Sequence, residues 1–315
     1  MQIITTLLLF LTSCAGLVIS GTLLLKSITK ISAFLRLSAF TTGFTILALS
    51  TSLPELFVGI YSAINNNPTL SMGTVIGSNI ADLTLVAGIA ILATGGIKIP
   101  RKHIKHDVIL MIIISALPII LTKIGNQLSR IDGMLLLTIF IIYWKHLLTK
   151  QKNHKLTEKI PRIQVVLYTL LFVATITGLY FTAEKTVQYG TQLAMLINLP
   201  ILFVGLFFLA IGTSLPELIF ETTAMIKGLP EFALGDIVGS VVTNSTLVLG
   251  ITAIITPIES GKILFLTASG FMIVATMLFA TFIDASNKLT KIEGITLILF
   301  YILFTLVEFT IKGAM

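Results

Sequence analysis

Apolar stretches long enough to cross a lipid bilayer follow one another along nearly the whole chain. A helix needs about 20 residues to cross roughly 30 Å of hydrocarbon. The sequence is 55% hydrophobic and only 11% charged, with a mean hydropathy of +1.02, which argues against a water-soluble fold. We therefore predict an all-α polytopic membrane protein with ten transmembrane helices, at about residues 3–25, 37–63, 70–95, 106–122, 129–148, 163–183, 198–225, 232–256, 262–282 and 292–311.

Basic residues fall mainly on one side of these predicted spans. Cytoplasmic loops of membrane proteins accumulate Lys and Arg, and 16 of the 21 basic residues share one side when the loops are assigned alternately. That side is then cytoplasmic and both termini are extracellular, in a protein integral to the plasma membrane. The same topology accounts for the net charge of +7 without a nucleic-acid partner.

A long internal repeat divides the chain into two halves. Residues 43–88 align without a gap on residues 205–250, with a constant offset of 162 and 18 identical residues among 46. Both copies contain the hexapeptide TSLPEL, which apolar composition alone does not supply twice. The halves are predicted at residues 1–148 and 162–315, joined by a basic cytoplasmic linker at 149–161.

Each half contains five predicted spans, so the second copy must enter the membrane from the opposite side. The two five-helix repeats are therefore inverted, and proteins built in this way bind substrates near mid-membrane, on helices interrupted by Gly or Pro. Pro54 and Pro216 interrupt the second and seventh spans. The Gly77-Ser78 and Gly239-Ser240 pairs are predicted to weaken the third and eighth spans at a similar depth.

Three carboxylates lie near the centres of these spans: Glu55, Asp82 and Glu217. An unpaired charge at the centre of the membrane costs at least ~2.5–3.5 kcal/mol. No Lys or Arg is predicted to lie near the centre of a span. The compensating charge must therefore come from protons or from metal cations. The three acids would balance three Na⁺, or one Ca²⁺ and a proton, which suggests that the two ions exclude each other.

Oxygen-bearing residues surround the three acids, and hard cations such as Na⁺ and Ca²⁺ prefer oxygen ligands. Each proline also leaves carbonyl groups of the preceding turn without their usual hydrogen-bond donor. Glu221 and Asp236 are interpreted as residues that line the site or its vestibule. The candidate ligands besides the three acids are the side chains of Thr51, Ser52, Ser78, Thr213, Ser214, Ser240 and Asn244.

The paired motifs resemble the α-repeats of prokaryotic Na⁺/Ca²⁺ exchangers of the cation/Ca²⁺ antiporter superfamily, in which a GTSLPE-like motif precedes a GSN-type motif in each half. The resemblance implies that Glu55 and Glu217 bind both Ca²⁺ and Na⁺. It also implies flanking Na⁺ sites, completed by Thr51, Ser52, Ser78, Thr213, Ser214 and Ser240 and by the carbonyl groups of Ala48 and Ala210. No resident cofactor is expected, because Na⁺ and Ca²⁺ are the transported ions.

Two positions depart from the family pattern. The first motif reads STSLPE, with Ser50 where the second has Gly212. Asp82 lies in the first repeat and Asn244 in the second, which reverses the arrangement of archaeal exchangers of this type. Pseudo-symmetry makes the exchange plausible, since both positions face one site, but it leaves ion selectivity and the involvement of K⁺ or H⁺ open.

The predicted function is exchange of Na⁺ for Ca²⁺ by alternating access, in a monomer that works in the lipid bilayer and is not an enzyme. The first and sixth helices, which carry no predicted site residue, are expected to slide against the remaining core. Ca²⁺/H⁺ or K⁺-dependent exchange by the same fold is the alternative. More remote alternatives are a channel and an intramembrane aspartyl protease built on Asp82 and Asp236.

Overall fold

The computed structural model describes residues 2–34, 48–98, 101–149, 161–259, 263–285 and 288–313, and this part of the chain is almost entirely helical. The α-helices are α1 (Gln2–Phe34), α2 (Ala48–Thr51), α3 (Leu53–Ile64), α4 (Pro68–Ala81), α5 (Ala87–Thr94), α6 (Arg101–Gly125), α7 (Arg130–Thr149), α8 (Arg162–Leu196), α9 (Ile201–Phe203), α10 (Ala210–Thr213), α11 (Leu215–Ile226), α12 (Pro230–Thr243), α13 (Leu249–Ile255), α14 (Ile263–Ala285) and α15 (Lys291–Gly313). Three π-helical segments, Asp82–Val86, Val204–Leu209 and Asn244–Val248, continue α4, α9 and α12. Four two-residue strands complete the structure: β1 (Ile97–Lys98), β2 (Gln127–Leu128), β3 (Ile258–Glu259) and β4 (Lys288–Leu289).

Seven helical segments of the described chain are long and apolar enough to cross a membrane. The count is eight if Ile201–Thr213 and Leu215–Ile226, which meet at an angle of 41°, form one bent span. The protein is therefore a helical, multi-pass membrane protein, and the number of ten spans stays a prediction. Part of the predicted span at 37–63 and most of the predicted linker at 149–161 lie outside the described residues.

The two longest helices, α1 and α8 with 33 and 35 residues, pack along each other. Their glycines allow a close approach: a Cβ atom at Gly16 would lie 2.5 Å from Thr182, and one at Gly178 would lie 2.8 Å from Ser20. Small residues bring helices together in a membrane, where lipid tails remove the hydrophobic driving force for association. The two helices therefore form a tightly matched pair although most of their apolar surface stays exposed.

The centre of the structure is formed by two buried helical segments, Pro68–Thr94 and Pro230–Ile255, each 83% buried over its most apolar stretch. In the first, α4 packs against α10 and against the π-helical segment that precedes α10. In the second, α12 packs against α2. Each central helix thus contacts the interrupted helix of the opposite half, and the interruptions come together in the interior.

The short strands pair across the two halves with matching geometry. In the antiparallel pair β1–β4, Ile97 lies opposite Leu289; in the pair β2–β3, Leu128 lies opposite Ile258. A shift of 161 residues converts one pairing into the other, since it takes Ile97 to Ile258 and Leu128 to Leu289. The two ends of the core are therefore closed by equivalent contacts.

One predicted pair of interruptions lies elsewhere than expected. The Gly77-Ser78 and Gly239-Ser240 pairs lie inside the regular helices α4 and α12, and the helical pattern changes only at Asp82 and Asn244. The glycine in α4 serves close packing instead, because a Cβ atom at Gly77 would lie 2.2 Å from the carbonyl oxygen of Leu206. A side chain there would clash with backbone, which cannot move aside as a flexible side chain does.

Replacement of Gly77 by Ala is expected to destabilise the protein by about 1–3 kcal/mol, the usual effect of forcing an extra carbon into a packed interior. The loss should appear as a lower melting temperature of the detergent-solubilised protein, measured by size-exclusion chromatography after heating. Gly270→Ala is the matched control, because Gly270 is exposed and a Cβ atom added there would have no neighbouring atom within 4 Å. Equal melting temperatures of the two variants would contradict the packing role of Gly77.

Candidate cation-binding site

The second span and its counterpart in the other half are interrupted where the prolines predicted. The first interruption is at Ser52, between α2 and α3, and the second is at Ser214, between α10 and α11. Ser52 donates its backbone N–H to the carbonyl oxygen of Ala48 at 3.3 Å, and Ser214 donates its own to Ala210 at 3.0 Å. The two predicted carbonyl ligands therefore occupy equivalent places in the last turn before each interruption.

Threonine hydroxyl groups reach the same two carbonyl groups. Thr51 Oγ1 lies 3.2 Å from the Ala48 oxygen, and Thr213 Oγ1 lies 3.3 Å from the Ala210 oxygen. Each hydroxyl hydrogen has another acceptor within reach, Asp236 for Thr51 and Leu209 for Thr213, so each alanine carbonyl accepts one backbone hydrogen bond and can accept the hydroxyl as well. A cation can bind this oxygen once the threonine hydroxyl turns its hydrogen away, and the hydroxyl oxygen then becomes available to the same ion.

Glu55 and Glu217 lie in the first turn of α3 and α11, immediately after the interruptions. Their exposed fractions are 1% and 0%. No oxygen of either carboxylate has a well-formed hydrogen bond within the described residues, although the Thr213 side chain lies near Glu55. The first turn of a helix favours negative charge through the helix dipole, which offsets part of the cost of burying these groups.

Asp82 and Asn244 occupy equivalent places, each at the first residue of a π-helical segment. Both are fully buried, and the oxygens of the Asp82 carboxylate have no well-formed hydrogen bond within the described residues. Asn244 donates from Nδ2 to Oδ1 of Asn79 at 3.3 Å, and Asn79 donates in turn to Ser245 Oγ at 3.0 Å. This chain of amides fixes the orientation of Asn244 and leaves its Oδ1 as a potential ligand.

Asn79 is a residue that the sequence interpretation missed. It directly follows Gly77-Ser78, in the Gly-Ser-Asn sequence on which the family resemblance partly depends, and the second copy has Val241 instead. An asparagine in the middle of a membrane span is itself a signal, since its amide must find partners there. Its role in the structure is to position Asn244, and its fully buried side chain faces the other half.

The predicted hydroxyl ligands are buried, but only some of them form hydrogen bonds between the two halves of the chain. Thr51 Oγ1 lies 2.9 Å from Ser240 Oγ, which joins α2 to α12. The equivalent pair, Thr213 and Ser78, has no mutual hydrogen bond in the described structure, since each bonds to a carbonyl of its own helix. The hydroxyl groups of Ser52 and Ser214 have no well-formed hydrogen bond in that part of the chain and are open to a ligand.

Glu221 and Asp236 lie deeper than the vestibule position that the sequence allowed. Both have an exposed fraction of 0%. Glu221 follows Glu217 by four residues and Asp236 precedes Ser240 by four, so each lies on the same face of its helix as a predicted ligand. This spacing of four residues is the sequence signal that predicts a buried position. The signal was easy to miss because neither acid has a counterpart in the first repeat.

Five carboxylates consequently share one interior region and interact electrostatically with one another: Glu55, Asp82, Glu217, Glu221 and Asp236. Within the described residues, no Lys, Arg or His side chain forms an ion pair with any of them. Such a group of negative charges with carbonyl, hydroxyl and amide oxygens around it has the composition of a site for hard cations.

A sequence model of the family described as sodium/calcium exchanger protein matches this chain twice, over residues 5–148 and 167–310. Among curated proteins, the inner membrane protein YrbG of Escherichia coli (strain K12) is 30% identical over 76% of this chain and 76% of its own length. The sodium/calcium exchanger MaX1 of Methanosarcina acetivorans is 25% identical over 91% of this chain and 93% of its own length. None of these relatives is named as a protease, and exchangers are transporters and not enzymes.

Among solved structures, the sodium-calcium exchanger NCX_Mj soaked with 10 mM Na⁺ and 10 mM Sr²⁺ superimposes with a TM-score of 0.70 at 25% sequence identity. The superposition covers 96% of this chain and 97% of that one. The likeness therefore extends over nearly the whole of both chains. Because the family model covers nearly all of both halves, the chain belongs to the sodium/calcium exchanger protein family, as a prokaryotic member of the cation/Ca²⁺ antiporter superfamily.

Proposed function

We propose that this protein is a secondary active antiporter that exchanges Na⁺ for Ca²⁺ across the plasma membrane by alternating access. The observation that carries the proposal is the group of buried carboxylates that lack a positive partner among the described residues. The names of the relatives and of the solved structure support the same two ions. Charge neutrality of the interior then requires that cations enter from water, and the empty site cannot cross the barrier.

The proposed ligands divide between one divalent and several monovalent positions. Glu55 and Glu217 would bind Ca²⁺, since they are the acids that directly follow the two interruptions. Asp82 and Asn244 flank them from the π-helical segments. The Na⁺ positions would be completed by the hydroxyl groups of Thr51, Ser52, Ser78, Thr213, Ser214 and Ser240 and by the carbonyl groups of Ala48 and Ala210.

The proposed architecture is ten transmembrane helices in two inverted repeats, at residues 1–148 and 162–315. Three observations support it. The family model matches once in each half. The strand pairs are related by a shift of 161 residues. The π-helical segments Asp82–Val86 and Asn244–Val248 are related by a shift of 162, which is the offset of the sequence repeat.

The proposed moving part is the pair α1 and α8, which contributes no ligand from the proposed set. α1 passes directly over both interruptions, because a Cβ atom at Gly21 would lie 2.9 Å from Pro216 and 3.4 Å from Pro54. Because Gly21 has no side chain at this crossing, α1 can shift along the two prolines without a steric clash. Such sliding would open the buried site to one side of the membrane and then to the other.

Exchange itself is tested with proteoliposomes loaded with Na⁺, in which uptake of ⁴⁵Ca²⁺ should follow the outward Na⁺ gradient. Glu55→Gln is expected to reduce this uptake at least about 100-fold, because removing one charged partner from a buried ionic site costs about 3–5 kcal/mol. Glu231→Gln is the matched control, since Glu231 is exposed at the start of α12. Uptake that survives collapse of the Na⁺ gradient, or that Glu55→Gln leaves intact, would refute the proposed function.

The role of α1 is tested with Gly21→Val, whose side chain would project against Pro54 and Pro216. The maximal rate of Na⁺-driven ⁴⁵Ca²⁺ uptake is expected to fall at least about fivefold while the half-saturating Ca²⁺ concentration changes little, because a conformational step is slowed and the ligands are untouched. Gly270→Val on the exposed surface of α14 is the control. A wild-type maximal rate in Gly21→Val would show that α1 does not slide past the prolines.

A further inference from the structure

Glu221 and Asp236 form a second group of buried acids beside the three that the sequence identified. They lie on neighbouring helices, α11 and α12, which pack against each other. Each is displaced by four residues from a proposed ligand toward the turn that joins the two helices, Glu221 from Glu217 and Asp236 from Ser240. The pair therefore lies between the central site and one end of the α11–α12 hairpin.

The hydrogen bonds of these two acids are incomplete. Asp236 Oδ1 accepts the Thr51 hydroxyl at 3.3 Å, whereas its Oδ2 and both oxygens of Glu221 have no well-formed hydrogen bond within the described residues. A proton shared between the two carboxyl groups would satisfy one oxygen of each but would leave one Glu221 oxygen without a donor, and an unsatisfied buried group costs about 1–3 kcal/mol. A bound cation would satisfy several of these oxygens together.

The charges around Glu221 and Asp236 also favour a bound cation. Glu221 interacts electrostatically with Asp236 and with Asp82, and all three are fully buried. No described Lys, Arg or His forms an ion pair with them. Two negative charges that repel each other in a membrane interior need a compensating positive charge more than either does alone.

The available ligand atoms favour a monovalent cation over a second Ca²⁺. Thr51 Oγ1 lies 2.9 Å from Ser240 Oγ and also reaches Asp236, so these hydroxyl groups adjoin the Asp236 carboxylate. α11 and α12 are regular helices at both acids, and their carbonyl groups are engaged within the helices. Ca²⁺ usually takes about 6–8 oxygen ligands, which side chains alone supply with difficulty, whereas the smaller Na⁺ usually needs fewer.

The first half has no corresponding pair. The offset of 162 places Gly59 and Thr74 at the positions of Glu221 and Asp236. A Cβ atom at Gly59 would lie 2.7 Å from the Thr252 hydroxyl, so the space that Glu221 occupies in one half is filled in the other. The additional charge is therefore confined to one side of the central site, and the repeat does not duplicate it.

We propose that Glu221 and Asp236 bind an additional alkali-metal cation, Na⁺ or K⁺, next to the central site. The hydroxyl groups of Thr51 and Ser240 lie between the two positions and are shared by them. The part of this cation in transport rests on the proposed exchange function, but its binding does not. In the exchange cycle this cation raises the number of monovalent ions moved for each Ca²⁺. If the ion is K⁺, exchange also becomes dependent on K⁺.

Binding of ²²Na⁺ and of ⁸⁶Rb⁺, a tracer for K⁺, is measured on the purified full-length protein in detergent by scintillation proximity. The variant carrying Glu221→Gln and Asp236→Asn is expected to bind one alkali-metal ion fewer at saturation than the wild type. A decrease with ²²Na⁺ identifies Na⁺, and a decrease confined to ⁸⁶Rb⁺ identifies K⁺. Glu231→Gln, at the start of the same helix α12 but exposed, should bind like the wild type.

Equal binding of both tracers by the wild type and the double variant would overturn the proposal. Loss of all ²²Na⁺ binding would overturn it too, because the two acids would then shape the central site instead of forming another. If the double variant does not elute as a single folded species, Glu221→Gln replaces it, since Glu221 makes no well-formed hydrogen bond within the described residues. Failure of the exchange function would appear separately, as the absence of Na⁺-driven ⁴⁵Ca²⁺ uptake by the wild type.

Discussion

Negative charge buried without a positive side chain beside it is the constraint on which the rest of this structure depends. Five buried carboxylates surround the central site, and no described basic residue forms an ion pair with them. In a membrane this arrangement is stable only if something else supplies positive charge or strong dipoles. The helix ends at Ser52 and Ser214 supply part of it through the first turns of α3 and α11, and cations must supply the remainder.

Irregular backbone is confined to the places where the surrounding protein can accommodate it. Groups freed from helical hydrogen bonds are tolerated at membrane depth only inside protein or beside a water-filled cavity. Both proline interruptions and the π-helical segments at Asp82 and Asn244 lie in the buried core, enclosed by α4, α12 and their partners. Gly77 lets α4 pack closely against the backbone of Leu206. This close packing helps to enclose the irregular segments.

The sequence predicted the elements that depend on local chemistry and missed those that depend on packing. Pro54 and Pro216 interrupt their helices because a proline lacks an N–H wherever it stands, and Glu55 and Glu217, which directly follow the prolines, are buried as their position near mid-span predicted. The change of helical pattern at Asp82 could not be located from Gly77-Ser78, since a glycine in a membrane helix can serve either flexibility or contact. Glu221 was interpreted as a residue of the site lining or of its vestibule, and the repeat could not decide between the two because Gly59 stands at the equivalent position.

The departures from the repeat have a physical logic of their own. Alternating access requires two halves of similar shape, so that the same contacts can be exchanged between two states, and this demand falls on backbone and glycine positions. The charged residues need not be alike in the two halves, because a single ion site serves both conformational states. In the proposed site, Asp82 opposite Asn244 and Asp236 opposite Thr74 would therefore change the number and kind of bound cations without disturbing the scaffold. Ion selectivity in this fold can accordingly differ between members while the helices and their interruptions remain the same.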